Sequence, residues 1–330
     1  RSTLFPYTTL FRSPYSPYST RGNGTVIRLN PEETAKRLPY AELVQAIARA
    51  ARETASGVLK APDRLVMPVG EQATLLCMPA AGADIGIVKV VTVHMQNASR
   101  ALPAIQGEVI VFDAASGQRH MLLDGPTITA RRTAAVTLLG IDTLAQRPPR
   151  SALIIGTGVQ AAAHVDALTD YFGIRAFWIA GRELRQTTAF CEQLRSKYPG
   201  IDAAPVATSA LEPTGTGTDI VVAATTSRTP VIPSRLPDAT LAIGVGAFRP
   251  DMAELPAELL LRRRIVVDYL PGAKHEAGDL LQAGVDWGKV SELSQLLERG
   301  TENQRAPAVF KSVGHASWDL AAARVAMQTR

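Results

Sequence analysis

Ile154-Ile155-Gly156-Thr157-Gly158-Val159-Gln160-Ala161 closes a run of buried-strand character, SALII, and opens a helical one. That is the setting a dinucleotide-binding turn requires. Gly156 permits the tight turn, and Gly158 lets the backbone approach a pyrophosphate. Ala161 stands where the third glycine of the motif serves close helix–strand packing. The helix opening at Val159 would aim free N–H groups and the positive end of its dipole at the anion. The alternative is a tight strand-to-helix turn with no ligand.

Downstream, strands and helices alternate. AFWIAG (176–181), DIVVAAT (219–225), TLAIGVG (240–246) and RIVVDYL (264–270) read as strands, and helices are expected from Val159 to about Tyr171 and from Glu183 to about Tyr198. This alternation means a doubly wound parallel sheet, an α/β Rossmann architecture. Upstream, the texture differs. Asn30-Pro31-Glu32-Glu33 reads as a helix start, Pro39 restarts it, and Leu43, Val44, Ile47, Ala48 and Ala51 recur at helical spacing up to Ser56-Gly57. Residues 64–123 form short β-rich runs, with a turn at Asp113–Gly117, and 127–146 return to helix before Pro148-Pro149. His315 to Met327 reads as an apolar helix that packs back on the first domain. The expected organisation is therefore a discontinuous α+β substrate-binding and dimerisation domain, 22–132 with 306–330, around a Rossmann domain at 133–305.

Residues 1–21 show no helical or strand period, and Thr3–Ser13 resembles the translation of a sequencing adapter. They are read as an artefactual or disordered tail and set aside. With 46% hydrophobic and 20% charged residues in 330, the rest has the composition of a globular protein rather than a disordered one. A net charge of +5 is modest, and the densest basic knot, Arg262-Arg263-Arg264, lacks interleaved aromatics, so no nucleic-acid partner is expected. No apolar run is long enough for a membrane helix, so a soluble protein is expected. Cys77 and Cys191 stand in unrelated surroundings, and the histidines His120, His164, His275 and His315 have no ligand spacing. The expectation is a reducing cytoplasm, no disulfide and no metal.

At the end of the second strand, where an acid would hold the ribose hydroxyls of NAD, the chain reads Ala180-Gly181-Arg182. Arg182 can pair with a 2′-phosphate, and Arg185 follows one turn on, which favours NADPH with NADH as the alternative. Glu183 could turn inward and reverse that choice. The alternative for Arg182 is a solvated loop charge.

MPAAGADIGIVKVVTV (78–93), GEVIVFDAASGQRHMLLDGPTITARRTAAVTLLG (107–140), GTGVQAAAHVDAL (156–168), IVVAATTSRTPVI (220–232), GAFRPDMAEL (246–255), VVDYLPGAKHEAGDL (266–280) and FKSVGHASWDLAAA (310–323) together resemble the ornithine cyclodeaminase/mu-crystallin family. The likeness spans about residues 25–330. It implies a β-rich substrate and dimerisation domain, a Rossmann domain and a site between them. Cyclodeaminases of the family carry an aspartate where Phe248 stands, and a phenyl ring can neither act as a base nor hold an ammonium by charge. The chain most closely resembles the members that reduce the cyclic imino acids Δ1-pyrroline-2-carboxylate and Δ1-piperideine-2-carboxylate. A cyclodeaminase, an alanine-type dehydrogenase, an opine-forming synthase and a non-enzymatic NADPH-dependent binder of a small ligand are the alternatives.

The resemblance also implies residues. Arg64, Lys89 and Arg132 match the carboxylate-binding and site-lining cations, with Arg131 read as the solvated neighbour. Lys89 lies in an otherwise apolar strand, where a lysine is expensive unless paired or facing a cleft; the alternative is an edge-strand solubility device. The proton donor to the imine is left open between His94, Glu276 and bulk water. Thr133, Gly156, Gly158, Val159, Gln160, Gly181, Arg182, Thr225, Thr226, Val245 and Ser312 match positions that line the dinucleotide. The implied assembly is a homodimer.

Overall fold

The structure, a computed structural model, describes residues 26–70, 73–100, 102–211, 217–299 and 306–329. The expectations for residues 1–21 lie outside the described residues.

Two sheets carry the fold. The first has six strands: β1 (Ile27–Arg28), β2 (Leu65–Val69), β3 (Ala73–Ala81), β4 (Ile85–His94), β5 (Ile105–Asp113) and β6 (Arg119–Asp124). Their spatial order is β1-β6-β5-β4-β3-β2. It is an antiparallel meander except for β1, which runs parallel to β6. The β5–β6 turn is held by Asp113, whose Oδ1 accepts from Ser116 N at 2.7 Å.

Two long helices cover this sheet, and a third packs on both of them. Before them, α1 (Pro31–Lys36) starts in a capping box: Asn30 Oδ1 accepts from Glu33 N, and Glu33 Oε2 from Asn30 N, both at 2.9 Å. Pro39 ends that turn and α2 (Tyr40–Ala55) begins, burying Leu43, Val44, Ile47 and Ala51. α3 (Gly125–Leu144) is capped by Asp124, which accepts from Thr127 N. The C-terminal helix α10 (Ala316–Gln328) packs on α2, β3 and β4.

Between them lies the second sheet: β7 (Ser151–Ile155), β8 (Ala176–Gly181), β9 (Asp202–Ala207), β10 (Ile220–Ala223), β11 (Leu241–Gly244), β12 (Arg264–Val267), β13 (Ser291–Glu292) and β14 (Ala308–Lys311). The helices are α4 (Val159–Phe172), α5 (Leu184–Lys197), α6 (Ala257–Arg262), α7 (Leu270–Glu276), α8 (Gly278–Ala283) and α9 (Leu293–Arg299). All pairings are parallel, in the order β13-β12-β14-β11-β10-β7-β8-β9. The order reverses between β7 and β10, the switch point where ligands of open α/β sheets bind.

The chain departs from the expected boundary at 305/306. β14 inserts between β11 and β12 in the second sheet, so only the segment beyond Lys311 returns to the first. Four buried residues, AVFK, are too short a run to stand out as a strand, and the terminal lysine masks their burial. The basic knot is dispersed by the same strand neighbourhood. Arg263 turns inward to donate to the carbonyls of Leu236, Pro237 and Thr240, while Arg262 pairs with Glu258 on the surface.

Candidate active site

The loops after β7, β8 and β10 enclose a cleft of about 350 Å³ at the switch point. Gly156, with φ of +125°, has no room for a side chain: a Cβ there would lie 2.6 Å from the Ala224 carbonyl oxygen. The close approach is fixed by Gly156 N donating to Ala180 O and Ala224 N donating to Ile155 O. Gly158 is the N-cap of α4 and brings no side-chain cap to the helix's free donors, and a Cβ built on it would meet open space. Uncapped N–H groups therefore stand at the edge of this cleft, and these residues fit a dinucleotide phosphate. Gly181, Arg182, Thr225 and Thr226 also line the cleft. Thr157, Gln186, Thr208 and Ser227 line it without having been anticipated. Beside Arg182, Glu183 Oε2 accepts from Gln186 Nε2 at 2.9 Å, so its carboxylate is engaged with its own helix turn. Among the described residues Arg182 makes no ion pair.

Val159 is largely exposed at the α4 start, and Gln160 is half-buried behind it with its Oε1 lacking a partner. Thr133 is buried on α3 next to Arg132, outside the cleft wall. Val245 and Ser312 continue the carboxyl ends of β11 and β14, where Ser312 N donates to Gly244 O.

The second cluster lies where α3, β4 and α10 meet. Lys89 is 2% exposed and donates to Asp319 Oδ2 at 2.7 Å; Arg132 Nε reaches Asp319 Oδ1 at 3.1 Å. The lysine is thus a paired core residue of an inner strand, not an edge device. Burial lowers its pKa to about 8, against the pull of Asp319 and with the help of Arg132. For Asp319, burial alone would raise the carboxyl, but Lys89 and Arg132 together hold it below the usual range. Arg64 bonds Glu276 at 2.6 Å and also donates to the carbonyls of Val313 and Gly314. Burial pushes the Glu276 carboxyl up, opposed by Arg64.

The turn between β14 and α10 joins the two groups. Gly314 has φ of +83°, and a Cβ on it would lie 2.9 Å from Arg132 Nη1, so the guanidinium rests against bare backbone. Asp268 fixes this turn by accepting from Ser312 Oγ, Val313 N, Gly314 N and Trp318 Nε1. All four anticipated residues, Arg64, Lys89, Arg132 and Glu276, are therefore brought together, and Ser312 ties their turn to the carboxyl end of β11.

Asp319 and Asp268 were missed by sequence reading. The available signal was an acid inside an apolar helix, SWDLAAA, and another at the end of an apolar strand, IVVD. Arg131 requires a correction. It is not solvated: its guanidinium lies 4.0 Å over the Tyr40 ring, pairs with Asp166 at 3.0 Å and donates to Leu38 O. The planar group of Arg131 satisfies ring and carboxylate together, so it packs where a solvated charge was expected. His94 ends β4 five residues past Lys89; an odd offset puts it on the opposite sheet face. Phe248 is exposed on the loop after β11. Among the described residues no His, Cys, Asp or Glu cluster could hold a metal, and no helix is long and apolar enough to cross a membrane.

The chain is similar to known proteins over nearly its whole length. It is 42% identical to the Δ1-pyrroline-2-carboxylate/Δ1-piperideine-2-carboxylate reductase of Azospirillum brasilense, covering 89% of this chain and 93% of that protein. It superposes on the Δ1-pyrroline-2-carboxylate reductase of Thermococcus litoralis, solved with NADH and L-proline, with a TM-score of 0.83 at 28% identity, covering 92% and 97% of the two chains. An archaeal alanine dehydrogenase dimer with bound NAD gives a TM-score of 0.81 at 25% identity, covering 92% and 95%. The family model matches residues 26–329, so the chain belongs to the ornithine cyclodeaminase/mu-crystallin family.

Proposed function

We propose that this chain reduces cyclic imino acids, Δ1-pyrroline-2-carboxylate to L-proline and Δ1-piperideine-2-carboxylate to L-pipecolate, using NADPH in preference to NADH. The observation that carries the reading is an unsatisfied donor in the buried cluster. Arg64 is paired with Glu276, and Lys89 and Arg132 share Asp319, but Arg132 Nη1 has no hydrogen-bond partner. A buried guanidinium with a free donor suits a substrate carboxylate, the group every cyclic imino acid of this class carries.

Bound in the cleft, a reduced nicotinamide dinucleotide supplies the hydride. The chain's own contribution is placement. Gly156, Gly158, Val159 and Gln160 cradle the pyrophosphate, and Gly181 and Arg182 take the ribose end. Thr225, Thr226, Val245, Ser312 and Thr133 continue the bed towards the cations. Arg132 and Lys89 hold the substrate carboxylate, Arg64 closes the site, and burial excludes competing water. Glu276 is the acid beside Arg64 available to hold a proton for the imine nitrogen, since His94 faces the other way.

The domain reading that accompanies this function assigns residues 22–132 and the C-terminal helix to substrate binding and dimerisation, and 133–305 with β14 to the cofactor. The working form is a cytoplasmic homodimer, supported by the apolar residues exposed along β2.

The test is loss of nicotinamide absorbance when the purified protein meets NADPH and either imine, with ornithine plus NAD run in parallel. Rapid oxidation with the imines and no ammonia from ornithine is expected. Ammonia release, or silence with both imines, overturns the reading in favour of a cyclodeaminase, a dehydrogenase using free ammonia, or a non-enzymatic binder.

A further inference from the structure

A second buried charge cluster lies beneath the cofactor cleft, away from the substrate cations. Glu254 is fully buried between the loops that follow β10 and β11. Its Oε1 accepts from Thr225 N at 2.6 Å and Thr225 Oγ1 at 2.9 Å; its Oε2 accepts from Gly246 N at 2.6 Å and Ala247 N at 3.1 Å. Four donors from two loops thus converge on one carboxylate. Its backbone carbonyl also accepts from Val231 N and Ile232 N, and the adjoining Ala253 N donates to Ser227 O. Thr225, Ser227 and Val231 are all cleft-lining residues.

Behind Glu254 stand Asp279 on α8 and Lys311 on β14, an ion pair at 3.3 Å with neither side chain exposed. Glu254 N reaches Asp279 Oδ2 at 3.4 Å. Two acids and one base leave the cluster short of a cation, and burial pushes the Glu254 carboxyl up while Lys311 opposes it. A fully buried, under-compensated acid is expensive, and core packing alone would be served by an apolar side chain. Its two oxygens instead satisfy N–H groups at the carboxyl ends of adjacent parallel strands, where the cofactor bed is built.

We propose that Glu254 is a positioning residue for the cofactor, clamping the Thr225 loop to the Gly246–Ala247 loop so that the far wall of the cleft is set before the dinucleotide arrives. The inference rests on the reading of the cleft as the dinucleotide site. It concerns binding of the cofactor and leaves the cations around Asp319 untouched.

Glu254→Gln separates this role from general stability. The amide keeps the shape but replaces one acceptor oxygen by a donor, so one of the two loops meets a donor facing a donor. The dissociation constant for NADPH, measured by nicotinamide fluorescence, is expected to rise about tenfold or more. The imine KM at saturating NADPH should stay within roughly twofold, since no contact to the cations changes. Asp279→Asn is the matched control: it disturbs the same buried cluster and lowers the melting temperature but leaves NADPH binding near wild type. Should Glu254→Gln fail to fold, Glu254→Asp keeps the charge, reaches only one loop, and should weaken NADPH binding in the same direction. Unchanged NADPH binding in the Glu254 variants, or equal weakening by Asp279→Asn, overturns the positioning role. If the wild-type protein itself binds neither NADPH nor NADH, the cleft reading falls and this inference with it.

Discussion

Asp319 holds Lys89 at 2.7 Å in a place where neither side chain has more than 2% of its surface exposed. The same carboxylate takes Arg132 with its other oxygen, so a helix from the end of the chain locks together a strand of the first sheet and the long helix α3. Through that arrangement the C-terminal helix reaches both buried cations.

Replacing Asp319 by Asn therefore removes the one negative charge shared by two buried cations. Breaking a buried pair on one side costs about 3–5 kcal/mol because the remaining charge is uncompensated. Denaturant unfolding should show a loss of that order. Activity should fall further than stability predicts, because Lys89 and Arg132 lose their common orientation; kcat/KM for the imine is expected to drop about 100-fold or more, with NADPH binding retained. A variant with wild-type kcat/KM would show that the cations hold their geometry unaided.

Lys89 supplies a pH signature. Its folded pKa is lowered to about 8 from 10.5, so between these values the folded protein binds fewer protons than the unfolded chain. Stability rises with pH wherever the unfolded state binds more protons; this residue's destabilising burden is thus full below about pH 8 and is relieved as pH climbs towards 10.5. Function runs the other way. A carboxylate needs the ammonium, so kcat/KM for the imine should decline as pH rises through about 8. In Lys89→Arg the decline should move to higher pH, which distinguishes Lys89 from titration of the imine itself. A limb at the same position in both proteins would exclude Lys89 as its source.

What was legible in the sequence follows from where the signals lie. The parallel sheet announced itself because strand and helix periods alternate around Gly156 and Gly158, whose roles are local. The meander was equally plain, since its hairpins are short. β14 was hidden because four residues carry little period and its partners, β11 and β12, are assembled from distant chain. Lys89 stood out as a charge in an apolar strand, but its partner lies 230 residues away, and one sequence does not reveal pairings at that range. Glu254 left still less trace: GAFRPDMAEL looks like a polar loop until its carboxylate is seen to gather four donors.

Arg182 should set the choice of cofactor. It lines the cleft at the end of β8 without an ion pair, while Glu183 is occupied by Gln186. Arg182→Ala is expected to raise the KM for NADPH about tenfold, the weight of one charge-assisted contact at an open site, and to leave the KM for NADH nearly unchanged. Equal changes for the two cofactors would mean that Arg182 serves the cleft wall and not a 2′-phosphate.

The edge of the first sheet makes a prediction about assembly. On β2, Leu65, Val66 and Met67 are 60%, 57% and 46% exposed, and Val69 is 40% exposed, so both faces of the strand present large apolar side chains. A lone subunit would leave an apolar edge strand open to solvent, a liability that soluble proteins cover. Pro68 carries no ladder donor, as befits an edge strand, and burial against the side chains of a second copy is the cover expected. Leu65→Lys combined with Met67→Lys places two charges on one face of β2, because alternate residues point the same way. Light scattering should then report a mass half that of the wild-type protein, with the far-ultraviolet circular dichroism unchanged. A wild-type protein that is itself monomeric would rule out the dimer, and a variant that stays dimeric would move the interface to another surface.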